Sequence, residues 1–107
     1  MTVPNHNQRA LKALRDQGYF ATVVEHWDAF SRKKHDLFGI IDILAVGNGH
    51  TLAIQVTSRN NMSSRRKKMQ AAPELTGMCD AGWSVELWGF DKPDHRWRLV
   101  KEAVHCV

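Results

Sequence analysis

Apolar positions near the start of the chain recur at helical spacing. The apolar residues of this segment fall on one helix face, three or four positions apart: Ala10, Leu11, Ala13 and Leu14. Asn5 precedes the segment and Gln8 follows three residues later, which predicts a helix whose first turn is capped by Asn5. Gly18 suits the residue just beyond the helix end. The pattern therefore predicts one amphipathic helix at the N-terminal side of the domain.

Three segments rich in apolar and β-branched residues predict strands: residues 19–27, 37–46 and 51–58. Gly47-Asn48-Gly49 separates the last two, and a turn of this composition joins the two strands of a hairpin. Both hairpin strands are almost continuously apolar, which is typical of central strands covered on both faces. Residues 28–36 are predicted to be a polar connection.

Two helices and one or two strands are predicted to follow this hairpin. A helix is expected to begin near Ser63 or Ser64, and Pro73 interrupts it, because the residue before proline disfavours helical conformation. A short helix to Ala81 and a strand at 85–90 come next, and 97–100 is a last strand or the start of a terminal helix. We expect an α/β fold with a single mixed sheet and flanking helices, in the order αβββαβ, within one domain spanning 1–107.

Composition adds little to this picture. Hydrophobic residues make up 43% of the chain and charged residues 24%, with a net charge of +4, so a polyanionic partner is compatible but not implied. Cys79 and Cys106 belong to no closely spaced pair, which predicts reduced thiols in a cytoplasmic protein. The first seven residues lack a signal-peptide pattern, and no apolar run is long enough to cross a bilayer, so no membrane association is expected.

Asp42 and Gln55 are polar residues inside apolar strands. An unpaired charge at Asp42 would be costly, and Thr57 shares the face of Gln55 because strand residues alternate. The hairpin can therefore present three polar side chains together. Carboxylate, amide and main-chain carbonyl oxygens are ligands that Mg²⁺ or Mn²⁺ accepts. The alternatives are that Asp42 bonds a nearby basic residue or N–H group, and that Gln55 and Thr57 satisfy one another.

Gly39-x-x-Asp42, a glycine turn, and Gln55-x-Thr57 before a basic helix resemble the PD-(D/E)XK nuclease superfamily. The resemblance is strongest to its Holliday-junction-resolvase-like and phage or prophage nuclease-like branch, and residues 81–88 are similar to the strand after the family's second helix. It implies a restriction-endonuclease-like fold and a metal-dependent DNA endonuclease, expected to act as a homodimer on DNA, branched DNA included. On this resemblance Asp42, Gln55 and the Val56 carbonyl would hold Mg²⁺ or Mn²⁺.

Thr57 departs from the family pattern, because it occupies the position of the lysine that orients and helps to activate the attacking water. Threonine carries no charge, so three explanations stay open: Lys67 or Lys68 substitutes, the metal alone activates water, or the site is inactive. The leading hypothesis gives Thr57 the orienting role and Lys68 the positive charge. Its alternative is a catalytically inactive module of the same fold that binds DNA or protein.

Further acidic ligands and phosphate contacts have several candidates. Asp36 is favoured over Glu25 as an additional metal ligand, because its loop leads directly into the Asp42 strand, whereas for Gln8 the capping role is favoured. Two groups of basic residues are candidate phosphate contacts beside such a site: Arg32, Lys33 and Lys34, and then Arg59, Arg65, Arg66, Lys67 and Lys68. Their ordinary alternative is a solvated loop and a solvated helix face.

Overall fold

The computed structural model describes residues 5–106; the first four residues, part of the argument against a signal peptide, lie outside the described range. The elements in chain order are α1 (His6–Asp16), β1 (Phe20–Val23), β2 (His26–Asp28), β3 (Lys33–His35), β4 (Ile43–Gly47), β5 (His50–Ser58), a 3-10 turn (Arg59–Asn61), α2 (Met62–Ala71), α3 (Glu74–Asp80), β6 (Ser84–Asp91) and β7 (Arg98–Ala103). No helix in the described range is long and apolar enough to cross a membrane.

Helix α1 begins and ends where the sequence predicts. The Asn5 side-chain oxygen accepts a hydrogen bond from the backbone N–H of Gln8 at 2.9 Å, which satisfies one of the free donors of the first turn. Gly18 lies beyond the last helical turn with φ of 92°, a conformation that residues with a Cβ avoid. The buried face of the helix packs on the sheet through Ala10, Leu11 and Leu14.

Five strands form a mixed sheet in the order β1-β4-β5-β6-β7. Strands β5 and β6 are parallel and the other neighbours are antiparallel. The predicted hairpin is β4–β5, and its two-residue turn is Asn48-Gly49, with φ of 52° and 79°. Positive φ at both positions is what the type I′ hairpin turn requires. The parallel β5–β6 connection passes through α2 and α3, as parallel neighbours need a long crossover.

Both faces of the sheet are covered at its centre. Helix α1 covers one face, onto which β5 projects Leu52, Ile54 and Val56. Helices α2 and α3 cover the other face, onto which β5 projects Ala53 and, because strand residues alternate, Gln55 and Thr57. The prediction of central strands buried on both sides, and with it the α/β class with helices flanking a mixed sheet, is therefore confirmed.

The strand boundaries before β4 differ from the prediction. The segment 19–27 contains two strands, β1 and β2, and the supposed polar connection contains β3, which pairs with β2 in a separate two-stranded sheet. The predicted strand at 37–46 begins only at Ile43, because 38–40 form a turn closed by a bridge between Leu37 and Ile41. The terminal segment is a strand, β7, paired with β6.

The prediction of two separate thiols was wrong. Cys79 at the end of α3 and Cys106 near the end of the chain form a disulfide pair, with their Cα atoms 6.5 Å apart. This Cα separation lies within the range that a disulfide bridges. The pair ties the segment after β7 to α3, a proximity that a separation of 27 residues in sequence does not reveal.

Candidate metal centre

Asp42 is fixed at the point where β4 joins the sheet. Its backbone N–H donates to the Ile54 carbonyl at 2.9 Å. Continuing the β4–β5 register, in which Ile43 pairs with Ile54, places Asp42 opposite Gln55. Its carboxylate oxygen Oδ2 accepts a hydrogen bond from Gln55 Nε2 at 2.5 Å and one from the Val56 N–H at 2.8 Å. The Asp42 residue is 4% exposed. The hairpin thus holds one buried carboxylate in a single orientation, with Gln55 beside it.

Two further carboxylates converge on Asp42. One ligand oxygen from each of Glu25, Asp36 and Asp42 lies within 4.8 Å of the others, and we call these three residues the carboxylate cluster. Glu25 follows β1 and immediately precedes β2, and Asp36 immediately follows β3. The β2–β3 hairpin therefore begins and ends at the cluster, and its pairing brings the two carboxylates together.

The cluster has two polar neighbours beyond its own members. Asn7 Nδ2 in α1 donates to Glu25 Oε1 at 2.9 Å. The Lys34 ammonium of β3 lies 3.9 Å from the same Glu25 oxygen. One face of the cluster thus has an amide donor and a cation.

Asp42 is strongly perturbed by these surroundings. Burial raises the pKa of Asp42 from 3.8 to about 7, the hydrogen bond from Val56 opposes that rise, and the neighbouring Asp36 and Glu25 carboxylates add to it. Three carboxylates at this distance repel one another unless a proton or a cation lies among them. The cluster therefore has the electrostatic character of a cation site.

The oxygen donors around Asp42 fit a hard divalent cation. Gln55 is 1% exposed and directs its Nε2 to Asp42, while its Oε1 is buried without a hydrogen-bond partner among the described residues. An unpaired buried carbonyl oxygen is costly, and a metal ion would satisfy it. Because the N–H and C=O of one strand residue face the same neighbouring strand, the Val56 carbonyl is expected on the edge where the Val56 N–H donates to Asp42. Carboxylate, amide and main-chain oxygens in this arrangement are typical ligands of Mg²⁺ or Mn²⁺.

Thr57 lies on the same face of β5 as Gln55, two residues nearer the end of the strand. It is 6% exposed, and its neighbour across the sheet is Gly89, against which the Met62 side chain packs. A hypothetical Cβ at Gly89 would also lie 3.2 Å from the Arg59 Cα, so the 3-10 turn and α2 approach the sheet closely here. The sheet is thus closely covered at Gly89, the residue beside Thr57.

The basic residues of the sequence prediction occupy different surroundings. On α2 the buried residues are Met62 and Met69, and Lys67 and Lys68 are exposed. Arg66 donates to Glu102 of β7, at 2.8 Å for one of its two hydrogen bonds, and Arg59 lies 3.7 Å from Asp91 of β6. The remaining members are exposed or half-buried: Arg32, Lys33, Lys34 and Arg65. Of these eight residues, Lys34 is the one with an ion pair to the cluster in the described structure.

The sequence favours Asp36 over Glu25 as a metal ligand and places Lys34 among the phosphate contacts. The structure brings all three residues to one place. The pairing of residues 26–28 with 33–35 would have indicated this grouping. Residues 26 and 35 pair across β2–β3, and continuing the same register places 25 opposite 36. Recognising the polar connection as a hairpin would have brought the two carboxylates together. Gln8 is exposed, and its backbone serves the α1 cap.

A search of solved structures finds a similar fold. Hjc from Archaeoglobus fulgidus, a Holliday junction resolvase from an archaeal hyperthermophile, matches with a TM-score of 0.55, and the match covers 89% of this chain and 73% of Hjc at 19% identity. No family model and no curated protein matches the sequence significantly. At this identity the likeness shows the fold. The predicted restriction-endonuclease-like architecture, a mixed sheet flanked by helices, is confirmed.

Proposed function

We propose that this protein is a metal-dependent DNA endonuclease of the Holliday-junction-resolvase-like type, with residues 1–107 forming a single nuclease domain. The observation that carries the proposal is the carboxylate cluster around a buried Asp42, with the unpaired Gln55 oxygen beside it. A fold shared with a Holliday junction resolvase supports DNA as the substrate. The metal is Mg²⁺ or Mn²⁺, held by the cluster together with the Gln55 and Val56 oxygens.

The residues of this chain have distinct roles in the proposed reaction. A bound divalent cation supplies a polarised water and positive charge to the scissile phosphate. Gln55 Nε2 and the Val56 N–H keep the Asp42 carboxylate oriented and leave its other oxygen for the ion. The buried setting strengthens these electrostatic interactions, because little solvent screens them. Thr57, two residues after Gln55 on the same face of β5, orients the attacking water.

Lys34 is our candidate for the charge that Thr57 lacks. Its ammonium lies 3.9 Å from Glu25 Oε1, and it reaches the cluster from β3. A cation at that position can stabilise the charge that develops on the phosphate. Lys67 and Lys68, which the sequence suggested for this role, are exposed on α2 and remain candidate phosphate contacts together with the other basic residues. Arg66 is the weakest of these, because Glu102 occupies its guanidinium.

A cleavage assay tests the proposal. Supercoiled plasmid and a four-way DNA junction are incubated with the protein in Mg²⁺, in Mn²⁺ and in EDTA. We expect metal-dependent cleavage that Asp42→Ala abolishes, that Lys34→Ala reduces by about a hundredfold or more, and that Asp94→Ala, in an exposed turn, leaves unchanged. Calorimetry with Mn²⁺ should show binding to the wild-type protein and none to Asp42→Ala.

The second candidate function is a non-catalytic DNA-binding module, and the uncharged Thr57 in the lysine position favours it. Clean protein that binds DNA and cuts neither substrate in either metal would establish this module and contradict the nuclease. The proposal also includes a homodimer, because a domain this small can present one site to one strand at a time. Sedimentation with and without a junction tests that part separately.

A further inference from the structure

The β2–β3 hairpin exposes two large aromatic side chains. Phe30 at its turn is 101% exposed and Trp27 on β2 is 59% exposed. Keeping so much apolar surface in water is unfavourable, and a soluble chain usually covers it unless the surface binds something. Among the exposed aromatic residues of the described structure, Trp27 and Phe30 are the two nearest to each other in the chain, and both lie on this hairpin.

The turn that carries Phe30 is held by side-chain hydrogen bonds. Asp28 Oδ1 accepts from the Phe30 N–H at 2.9 Å, and Asp28 Oδ2 accepts from the Ser31 hydroxyl at 3.0 Å. The hydrogen bond from the Phe30 N–H, and after it the one from the Ser31 hydroxyl, hold the pKa of Asp28 below its usual value. The His26 and His35 rings also lie 5.7 Å apart across the strand pair. Phe30 is thus presented by an ordered turn, which lowers the entropy lost when it contacts a ligand.

Positive charge accompanies these aromatic rings. Residues 26–35 contain three basic residues and one acidic residue. Lys34 is the cross-strand partner of Trp27, so the ammonium and the indole lie on the same face of the hairpin. Arg32 lies in the same turn as Phe30, and Lys33 is the first residue of β3. Aromatic faces flanked by cations are what proteins use to stack nucleic-acid bases while holding the adjoining phosphates.

The hairpin also lies at a useful distance from the carboxylate cluster. Trp27 is two residues after Glu25, and Phe30 is five residues after it. At strand spacing the separation between Glu25 and Trp27 is roughly 7 Å, which corresponds to about two base-pair steps of DNA. Phe30 lies farther along, in the turn beyond the end of β2. A base stacked on Trp27 would therefore leave a phosphate of the same strand within reach of the cluster.

We propose that the β2–β3 hairpin stacks on unpaired or splayed DNA bases, and that Phe30 and Trp27 thereby direct the nuclease to branched DNA. In a continuous duplex both faces of each base are covered by its neighbours, whereas a junction, flap or single-strand boundary exposes a face. The substrate class is DNA with unstacked bases beside a duplex. This inference rests on the proposed function for its cleavage step, but its binding step stands independently.

Binding measurements in EDTA test the stacking alone. A DNA flap carries 2-aminopurine at the branch point, and a matched continuous duplex carries it internally. With the wild-type protein we expect a change in 2-aminopurine fluorescence on the flap and none on the duplex. Phe30→Ala should weaken flap binding by about tenfold or more and remove the fluorescence change, and Trp27→Ala should act in the same direction. Phe20→Ala, at a residue of β1 that is 80% exposed, is the matched control and should change neither.

The outcomes separate this inference from the nuclease proposal. Equal weakening of flap and duplex binding by Phe30→Ala, or no branch preference in the wild-type protein, would overturn the stacking role. So would unchanged DNA binding together with loss of self-association in sedimentation, which would make the hairpin a protein contact. A wild-type protein that shows the branch-specific fluorescence change yet cuts no DNA in either metal would refute the nuclease and leave the stacking role intact. Circular dichroism confirms that each variant is folded.

Discussion

The ionised carboxylate of Asp42 destabilises the metal-free protein, and we predict that Asp42→Asn removes this cost. Burial first, and then Asp36 and Glu25, raise the pKa of Asp42 from 3.8 to about 7. Because the folded-state pKa lies above the unfolded one, the folded protein binds this proton more tightly. The stability that results is fully present below about pH 4 and is lost as the pH rises through 7.

The size of the effect follows from the pKa shift. A shift of about three units, at about 1.4 kcal/mol for each unit, corresponds to about 4 kcal/mol at pH 8. At pH 5 the folded-state carboxyl is protonated and the cost falls to about 2 kcal/mol. The asparagine oxygen can accept the same hydrogen bonds from Gln55 and Val56, and its NH₂ group can donate to Asp36. The substitution therefore keeps the local geometry and removes the repulsion.

Urea unfolding in EDTA at pH 8 and pH 5 measures this prediction. We expect Asp42→Asn to unfold at higher urea than the wild-type protein at pH 8, with a smaller difference at pH 5, and Mn²⁺ to stabilise the wild-type protein alone. Asp91→Asn is the control of opposite sign, because Arg98 holds the pKa of Asp91 below its usual value. A variant less stable than wild type at pH 8 in EDTA, or an advantage that does not shrink at pH 5, would refute the reasoning.

Substitutions at four further positions have defined outcomes. Gly89→Ala places a methyl group against Met62 and should lower the free energy of unfolding by about 1–3 kcal/mol. Gly77→Ala, in α3 with open space around it, should raise the free energy of unfolding by about 0.5–1 kcal/mol. Equal urea midpoints for the two variants would contradict this. Asn5→Ala removes the α1 cap and should cost about 1 kcal/mol by urea unfolding, against a few tenths for Asn5→Gly. Gln55→Glu adds a fourth carboxylate and should lower the Tm in EDTA at pH 8 while tightening Mn²⁺ binding by calorimetry; unchanged affinity would argue against the Gln55 oxygen as a ligand.

The central part of the fold could be predicted because its signals are local. The Asn48-Gly49 turn and the apolar strands on either side of it define β4–β5, and Asp42 stands out because a carboxylate is costly in an apolar segment. Register then follows from the turn and places Gln55 opposite Asp42. This much of the site needs no knowledge of distant residues.

The remaining part of the site depends on pairing that the sequence does not mark. Strands β2 and β3 are exposed on most of their residues, so they lack the alternation of buried and exposed positions by which strands are recognised. Without that hairpin, Glu25 and Asp36 are eleven residues apart and Lys34 is one member of a basic run. The same holds for Cys79 and Cys106, whose approach depends on the path of β7 along β6.

The number of residues between paired strand positions also indicates an order in which the strands pair during folding. In β4–β5 the partners Ile43 and Ile54 are eleven residues apart, whereas Gln55 and its β6 partner Leu87 are 32 residues apart. Closing the longer loop costs more conformational entropy, so the β5–β6 pair is expected to form after the β4–β5 hairpin. Asp42 and Gln55 are therefore brought together in an early hairpin, before α2, α3 and β6 cover them. Substitutions in the Asn48-Gly49 turn should slow folding, whereas substitutions in the α2 cover should mainly accelerate unfolding.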